Sequence, residues 1–155
     1  MGSEIYLTKD GRNKLIGELE NLKKRKVVTT EEMSRAREHG DLKENAEYHA
    51  AKETLTNIAK RIAEIESKLS NVKIIEEQNL DSSKVYIGVK VNLKDQDGDE
   101  YEYTIVDAEE ANLSENKISI QSPLAQGLLG HEKGDKVKVK LPVGEMVYQI
   151  LDISR

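Results

Sequence analysis

The sequence predicts an α+β protein in two parts: an antiparallel helical hairpin of coiled-coil type over residues 1–78, then a small antiparallel β domain with one short helix over 79–155. Three observations carry this reading. Apolar residues recur at alternating spacings of three and four through much of the first half, and at a spacing of two through much of the second. Both prolines, Pro123 and Pro142, and six of the ten glycines follow residue 78. Charge divides at the same place: residues 1–78 carry 15 Lys+Arg against 15 Asp+Glu, while 79–155 carry 9 against 14, so the whole excess of −5 lies in the second part. The polar stretch 76–83 reads as the linker.

The first arm is marked by Leu15, Leu19, Leu22, Lys26, Thr29, Met33 and Ala36, and the second by Ala51, Leu55, Ile58, Ile62, Ile65, Leu69 and Val72. Both sets follow an a/d seam. Lys26 and Thr29 are polar, and Val27-Val28-Thr29-Thr30 is a β-branched patch of low helix propensity, so the first arm is weakest in its middle. Only His39-Gly40-Asp41 separates the seams, which leaves room for a reversal and nothing more. Arms of ~27–33 residues are ~40–50 Å long at the α-helical rise. With no third helix in the first half to cover them, they are expected to form a long, thin, solvent-exposed probe.

In the second part, Val85, Ile87, Val89, Val91 and Leu93 alternate within a strand expected over 84–93. Tyr101, Tyr103 and Ile105 do the same, as do Ile118 and Ile120, then Val137, Val139 and Leu141, and finally the run from Val147 or Tyr148 to Ile153. Asp97-Gly98 and Val143-Gly144-Glu145 are hairpin turn signals. Ser122-Pro123 followed by Leu124, Ala125, Leu128 and Leu129 predicts a short helix with Pro in its first turn.

Composition excludes several functions. No run approaches the ~18–20 apolar residues that span a bilayer, and nothing at the N-terminus resembles a secretion signal, so a cytoplasmic, membrane-free protein is expected. Cys is absent, which removes disulfides and thiolate metal sites. Six Tyr with no Phe or Trp leave little for a base-stacking platform. The acidic balance argues against a free-standing binder of duplex DNA.

The reversal is the densest concentration of functional side chains: Arg35, Arg37, Glu38, His39, Gly40, Asp41, Lys43, Glu44, Glu47, Tyr48 and His49, with Lys52 one turn further on. Two readings stand side by side. In the structural one, Gly40 closes the first helix, Asp41 caps the second and Glu44 completes a capping box. In the functional one, Asp41 and Glu44 present carboxylates to a divalent cation. Two carboxylates alone are too few for a tight Mg²⁺ site, so further ligands would come from a partner. The cations likewise either solvate a helix face and pair with Glu38 or Glu47, or meet a polyanion. Tyr48 falls on the a/d seam, where it either packs in the core or positions the tip. His39 and His49 fit no metal-binding spacing, and His131 reads as a turn residue.

Residues 37–53, Arg-Glu-His-Gly-Asp-Leu-Lys-Glu-Asn-Ala-Glu-Tyr-His-Ala-Ala-Lys-Glu, resemble the signature of the Gre transcript cleavage factors of bacterial RNA polymerase. Leu7-Thr8, Lys14-Leu15 and Glu18-Leu19 near the start, and residues 118–124 and 134–137 near the end, extend the similarity along the chain. The resemblance implies that the hairpin enters the polymerase secondary channel and that a globular domain of FKBP-like fold docks at its entrance. It implies that Asp41 and Glu44 help to hold a second catalytic Mg²⁺, none being bound by the chain alone. Arg37 and Lys52, with Arg35 and Lys43 as local candidates, would meet the 3′ end of backtracked nascent RNA. The protein would be a monomer that activates the nuclease of the polymerase and is no enzyme itself. The modest basic set resembles the GreA branch more than the more basic GreB branch. Val27–Val28–Thr29–Thr30 departs from the family, which commonly has Pro, an acid and two Ile there, and bears on how the arm packs. Two other functions compete. A prolyl isomerase needs an apolar aromatic pocket, for which this half offers only Tyr86, Tyr101, Tyr103 and Tyr148. A purely inhibitory channel plug is opposed by the intact Asp41 and Glu44.

Overall fold

The computed structural model describes residues 4–40, 42–79 and 81–155, with the backbone alone at 39 and 42–45. Residues 12–72 form one compact unit, and residues 4–11 with 73–155 form a second. The sequence reading drew the boundary after residue 78; by packing, 4–11 and 73–78 go with the β unit.

The first unit is built from α1 (Lys9–His39) and α2 (Leu42–Ser70), about 46 and 44 Å long at the α-helical rise. Its seam follows the sequence spacing. Leu15, Leu22, Thr29 and Ala36 of α1 and Ile58, Ile62 and Ile65 of α2 are buried, and Leu19, Met33, Ala51, Leu55 and Leu69 are half-buried. Lys26 alone of the first-arm set is exposed. The helix runs unbroken through Val27–Thr30, where the Thr30 hydroxyl donates to the Lys26 carbonyl at 2.7 Å. Arg61 ties the arms together with a two-pronged bond to Glu18, at 2.9 and 3.0 Å, which fixes the antiparallel register. Gly40 has φ +75°, the left-handed conformation that ends a helix and that glycine adopts without a Cβ clash.

The second unit begins with β1 (Ile5–Leu7), paired with β2 (Val72–Ile74) in a small two-stranded sheet. Sequence spacing kept Val72 on the helical seam; α2 ends two residues earlier and Val72 opens β2 instead. The first turn of α1 is held within this unit by acids remote in sequence. The Thr8 amide donates to Glu110 Oε2 at 2.9 Å, and the Thr8 hydroxyl bonds the other oxygen of that carboxylate. The Lys9 amide donates to both oxygens of Glu76, at 3.1 and 3.2 Å. Thr8 Oγ1 in turn accepts from the Gly11 amide, as an N-cap does. Carboxylates at a helix N-terminus also meet the positive end of its dipole. A Cβ on Gly11 would run into the Glu110 carboxyl and force that side chain to shift.

The main sheet comprises β3 (Lys90–Asp95), β4 (Glu100–Val106), β5 (Lys117–Ser119), β6 (Lys136–Leu141) and β7 (Gly144–Ser154), in the order β5-β4-β3-β7-β6. All pairs are antiparallel except β4–β5, which are parallel. The sheet is therefore mixed rather than purely antiparallel, because residues 107–116 cross over before β5 joins the β4 edge. Residues 84–89 also differ from the expected strand. Val85, Ile87 and Val89 are buried in alternation, but Gly88 takes φ +91° and only Lys90–Asp95 joins the ladder. Val91, Leu93, Ile105, Val139 and Ile150 fill the core, covered by α3 (Pro123–Leu128), whose Ser122 hydroxyl caps Ala125. At the β3–β4 turn, Asp95 Oδ1 accepts from the amides of Asp97 and Asp99, each at 2.9 Å, and Oδ2 accepts from the Tyr101 hydroxyl at 3.2 Å. Among the described residues no helix is long and apolar enough to cross a membrane.

Candidate functional site at the hairpin tip

The described part of the tip is organised around Tyr48, on the second turn of α2. Its hydroxyl accepts from Arg37 at 3.1 Å, and the guanidinium carbon lies 5.2 Å from its ring centroid. One residue thus receives both a hydrogen bond and a cation–π contact from the opposite helix. The His49 ring meets Tyr48 edge-on, with centroids 5.4 Å apart. Lys52 follows Tyr48 by one helical turn and so projects from the same face. The Arg37 bond and then the Arg37 charge hold the Tyr48 phenol below the ordinary tyrosine pKa; partial burial opposes this, and the Lys52 charge adds to it. Arg37, Tyr48 and Lys52 therefore make one electropositive group beside the reversal.

Arg35 belongs elsewhere. Two residues from Arg37, it lies ~200° away around the helix. It lines a groove of about 460 Å³ with Thr29, Glu32 and Ala36 of α1 and Glu47, Ala50, Ala51 and Thr54 of α2. Asp41 lies outside the described residues, as do the side chains of His39, Lys43 and Glu44, so neither the capping box nor the paired carboxylates are described by the geometry. Among the described residues, no ion pair joins Arg37 or Lys52 to Glu38 or Glu47.

Two family matches cover nearly the whole chain. The family described as transcription elongation factor, N-terminal, matches residues 5–74, and that described as transcription elongation factor, GreA/GreB, C-terminal, matches residues 80–155. The chain belongs to the GreA/GreB family of transcription elongation factors. The transcription elongation factor GreA of Chloroherpeton thalassium is 45% identical over 156 residues, covering 99% of each chain. That of Thioalkalivibrio sulfidiphilus is 47% identical over 157 residues, covering 98% of each. Among solved structures, GreA factor homolog 1 of Thermus thermophilus is 30% identical and covers 98% of this chain and 99% of its own, with a TM-score of 0.47.

Within this Gre-family chain, the bond between Arg37 and Tyr48 is the feature that sequence reasoning left open. Seam position allows either core packing or tip positioning for Tyr48; the ring is half-buried and its hydroxyl holds Arg37. Of the four tyrosines considered for a prolyl isomerase pocket, Tyr101, Tyr103 and Tyr148 lie near one another around Asp95 and the sheet core, and Tyr86 stands apart. Tyr148 is buried in the sheet core, Tyr86 is exposed, and Tyr101 stacks on Tyr103 with centroids 5.9 Å apart. His131 stands in a turn as expected, its Nδ1 3.1 Å from Asp135 Oδ2.

Proposed function

We propose that this Gre-family protein inserts its hairpin tip into the secondary channel of bacterial RNA polymerase and stimulates cleavage of backtracked nascent RNA, rescuing arrested complexes. The observation that carries this reading is the family match along both units, joined to the intact run of residues 37–53 at the reversal. The chain acts through the polymerase, in the cytoplasm, as a monomer, and performs no chemistry alone.

Asp41 and Glu44 are the residues that would hold the second Mg²⁺ of the composite site. Two hard carboxylate oxygens suit that ion, and their small number suits a site completed by polymerase ligands. When bound, that ion supplies activation of the attacking water in two-metal phosphodiester hydrolysis. Arg37 and Lys52 bind the RNA 3′ segment, with Lys43 and Arg35 as flanking candidates. Tyr48 fixes the Arg37 guanidinium before the RNA arrives, so that less side-chain freedom is lost on binding.

The test is a cleavage assay on a stalled, backtracked elongation complex, with and without the full chain. The protein should accelerate release of the 3′ RNA fragment. Lys52→Glu should weaken cleavage while leaving polymerase binding nearly intact, most of all at low salt, where exposed charges are least screened. Tyr48→Phe keeps the ring and loses the bond to Arg37, and should weaken cleavage less. No acceleration by the parent chain would overturn the function, and full activity of Lys52→Glu would return that residue to a solvated face.

A further inference from the structure

The two edges of the main sheet are finished differently. At the β5 edge the chain covers itself: Asn112 and Lys117 exchange both backbone hydrogen bonds, at 2.9 and 3.0 Å. β6 forms the other edge and is twice as long, and among the described residues no strand or loop pairs with its outer side.

The register fixes which backbone groups are left over. The Ile150 carbonyl accepts from the Gly134 amide at 2.7 Å, and the Ile150 amide donates to the Asp135 carbonyl at 2.9 Å, so Ile150 turns its backbone toward the β6 side. Backbone direction alternates along an antiparallel strand, so Tyr148, Met146 and Gly144 turn the same way, opposite Val137, Val139 and Leu141. The intervening Lys136, Lys138 and Lys140 therefore aim their amides and carbonyls outward. Among the described residues no hydrogen bond reaches those groups. The three side chains are exposed on one face, ~6.8 Å apart along the strand. Lys138 pairs with Glu145 at 3.4 Å, whereas Lys136 and Lys140 have no ionic partner among the described residues. On the opposite face Val137 and Val139 are buried.

Lysines on an open edge deter a neutral or basic strand from adding to it. A second copy of β6 would set lysine against lysine. An acidic strand meets the reverse situation, with backbone partners in its own period and a cation beside every second residue. We propose that the β6 edge is a strand-addition site for an extended segment of another protein, acidic at alternate positions and apolar between them. Its acids would stand beside Lys136, Lys138 and Lys140, and its apolar residues on the face of Val137 and Val139. A nucleic acid fits less well, because the outward carbonyls would meet phosphate oxygens, acceptor against acceptor. The inference does not depend on the function proposed above.

The probe is a short synthetic peptide alternating Glu and Val, titrated into the full-length protein while amide hydrogen exchange is followed by NMR. Binding should protect the amides of Lys136, Lys138 and Lys140. N-methylating one alternate set of the peptide's amides should abolish binding, and methylating the other set should spare it, because only one set faces the edge. Lys136→Glu with Lys140→Glu should melt close to the parent and bind the peptide about tenfold more weakly, while gaining affinity for a peptide alternating Lys and Val. Absence of binding, or binding that leaves the three amides exchanging as before, would overturn the proposal. So would equal effects of the two methylated sets. If a single-stranded RNA oligonucleotide binds the lysines and the peptide does not, the edge follows phosphates and the proposal falls. Protection of the three amides in the concentrated protein alone would hand the edge to a second copy, with the same consequence.

Discussion

Away from Gly40 the hairpin seam is filled by Leu15, Leu22, Ile58, Ile62 and Ile65, with Ile65 fully buried and Arg61 bridging the arms at its edge. Nearer Gly40 the same periodic positions hold Thr29, Ala36 and Ala51 with a half-buried Met33 among them, and the groove opens between the helices. Both ends obey one spacing, yet branched aliphatic side chains interdigitate in one and small side chains leave space in the other. Spacing alone sets which residues face the partner helix; side-chain volume decides how tightly they hold. The unequal filling concentrates the stability of the hairpin away from the tip. The segment that carries the candidate functional residues is held by helix continuity, small-residue contacts and the Arg37–Tyr48 bond.

The sharpest way to break this comparison is to hollow out the well-packed end. Ile65→Ala should cost about 2–5 kcal/mol, the range for large-to-small changes at fully buried sites. Ala36→Gly near the tip should cost only about 1 kcal/mol, mostly as helix propensity. Equilibrium urea unfolding of the two variants checks this, and equal losses would mean that the two ends are equally packed.

Filling the loose end is the converse experiment. Thr29→Leu replaces a buried polar residue beside the groove with a larger apolar one, and should raise stability by about 1 kcal/mol. A lower thermal midpoint would show that the groove cannot accept the extra volume.

The smallest expected effect is electrostatic and separates the two units by sign. Tyr48 is pulled below the ordinary tyrosine pKa by its bond to Arg37, so it ionises first and its link to Arg37 strengthens as pH rises through that value. Because the depressed pKa belongs to the folded state, the contribution is present at high pH and lost as pH falls. Tyr148 is raised by burial, and Tyr101 by its bond to Asp95. Their contributions run the other way, present at neutral pH and lost as pH climbs. A phenolate absorbance titration should show an early step that Tyr48→Phe removes and Arg37→Gln shifts upward, with Tyr101 and Tyr148 ionising last. A first step unchanged by either substitution would dissolve the Arg37–Tyr48 pair.

The seam was legible in the sequence because three-four spacing continues for several heptads, long enough to outweigh the β-branched patch at 27–30. The β3–β4 and β6–β7 turns were legible from Asp97-Gly98 and Gly144; Gly98 and Gly144 take positive φ, which matches the turn chemistry. β1 and β2 were not, since three-residue strands are too short to show a period, and their pairing joins segments some 65 residues apart. Nor was the parallel pairing of β5, which depends on where the crossover returns the chain rather than on its own pattern. At the site, residues 37–53 named the candidates through family resemblance, whereas the partners of Arg37 required the opposite helix to be in place. The separation of Arg35 from that group could have been read from helical spacing alone.

One substitution separates the metal-holding role proposed for Asp41 from a helix cap alone. Asn caps a helix as well as Asp does, but lacks the charge that Mg²⁺ requires. Full-length Asp41→Asn should therefore unfold at the same temperature as the parent and compete with it for the polymerase channel. In a Mg²⁺ titration on backtracked complexes, it should stimulate little or no cleavage. Parental cleavage rates across that titration, from a variant that folds and binds normally, would contradict the account and leave Asp41 as a cap alone.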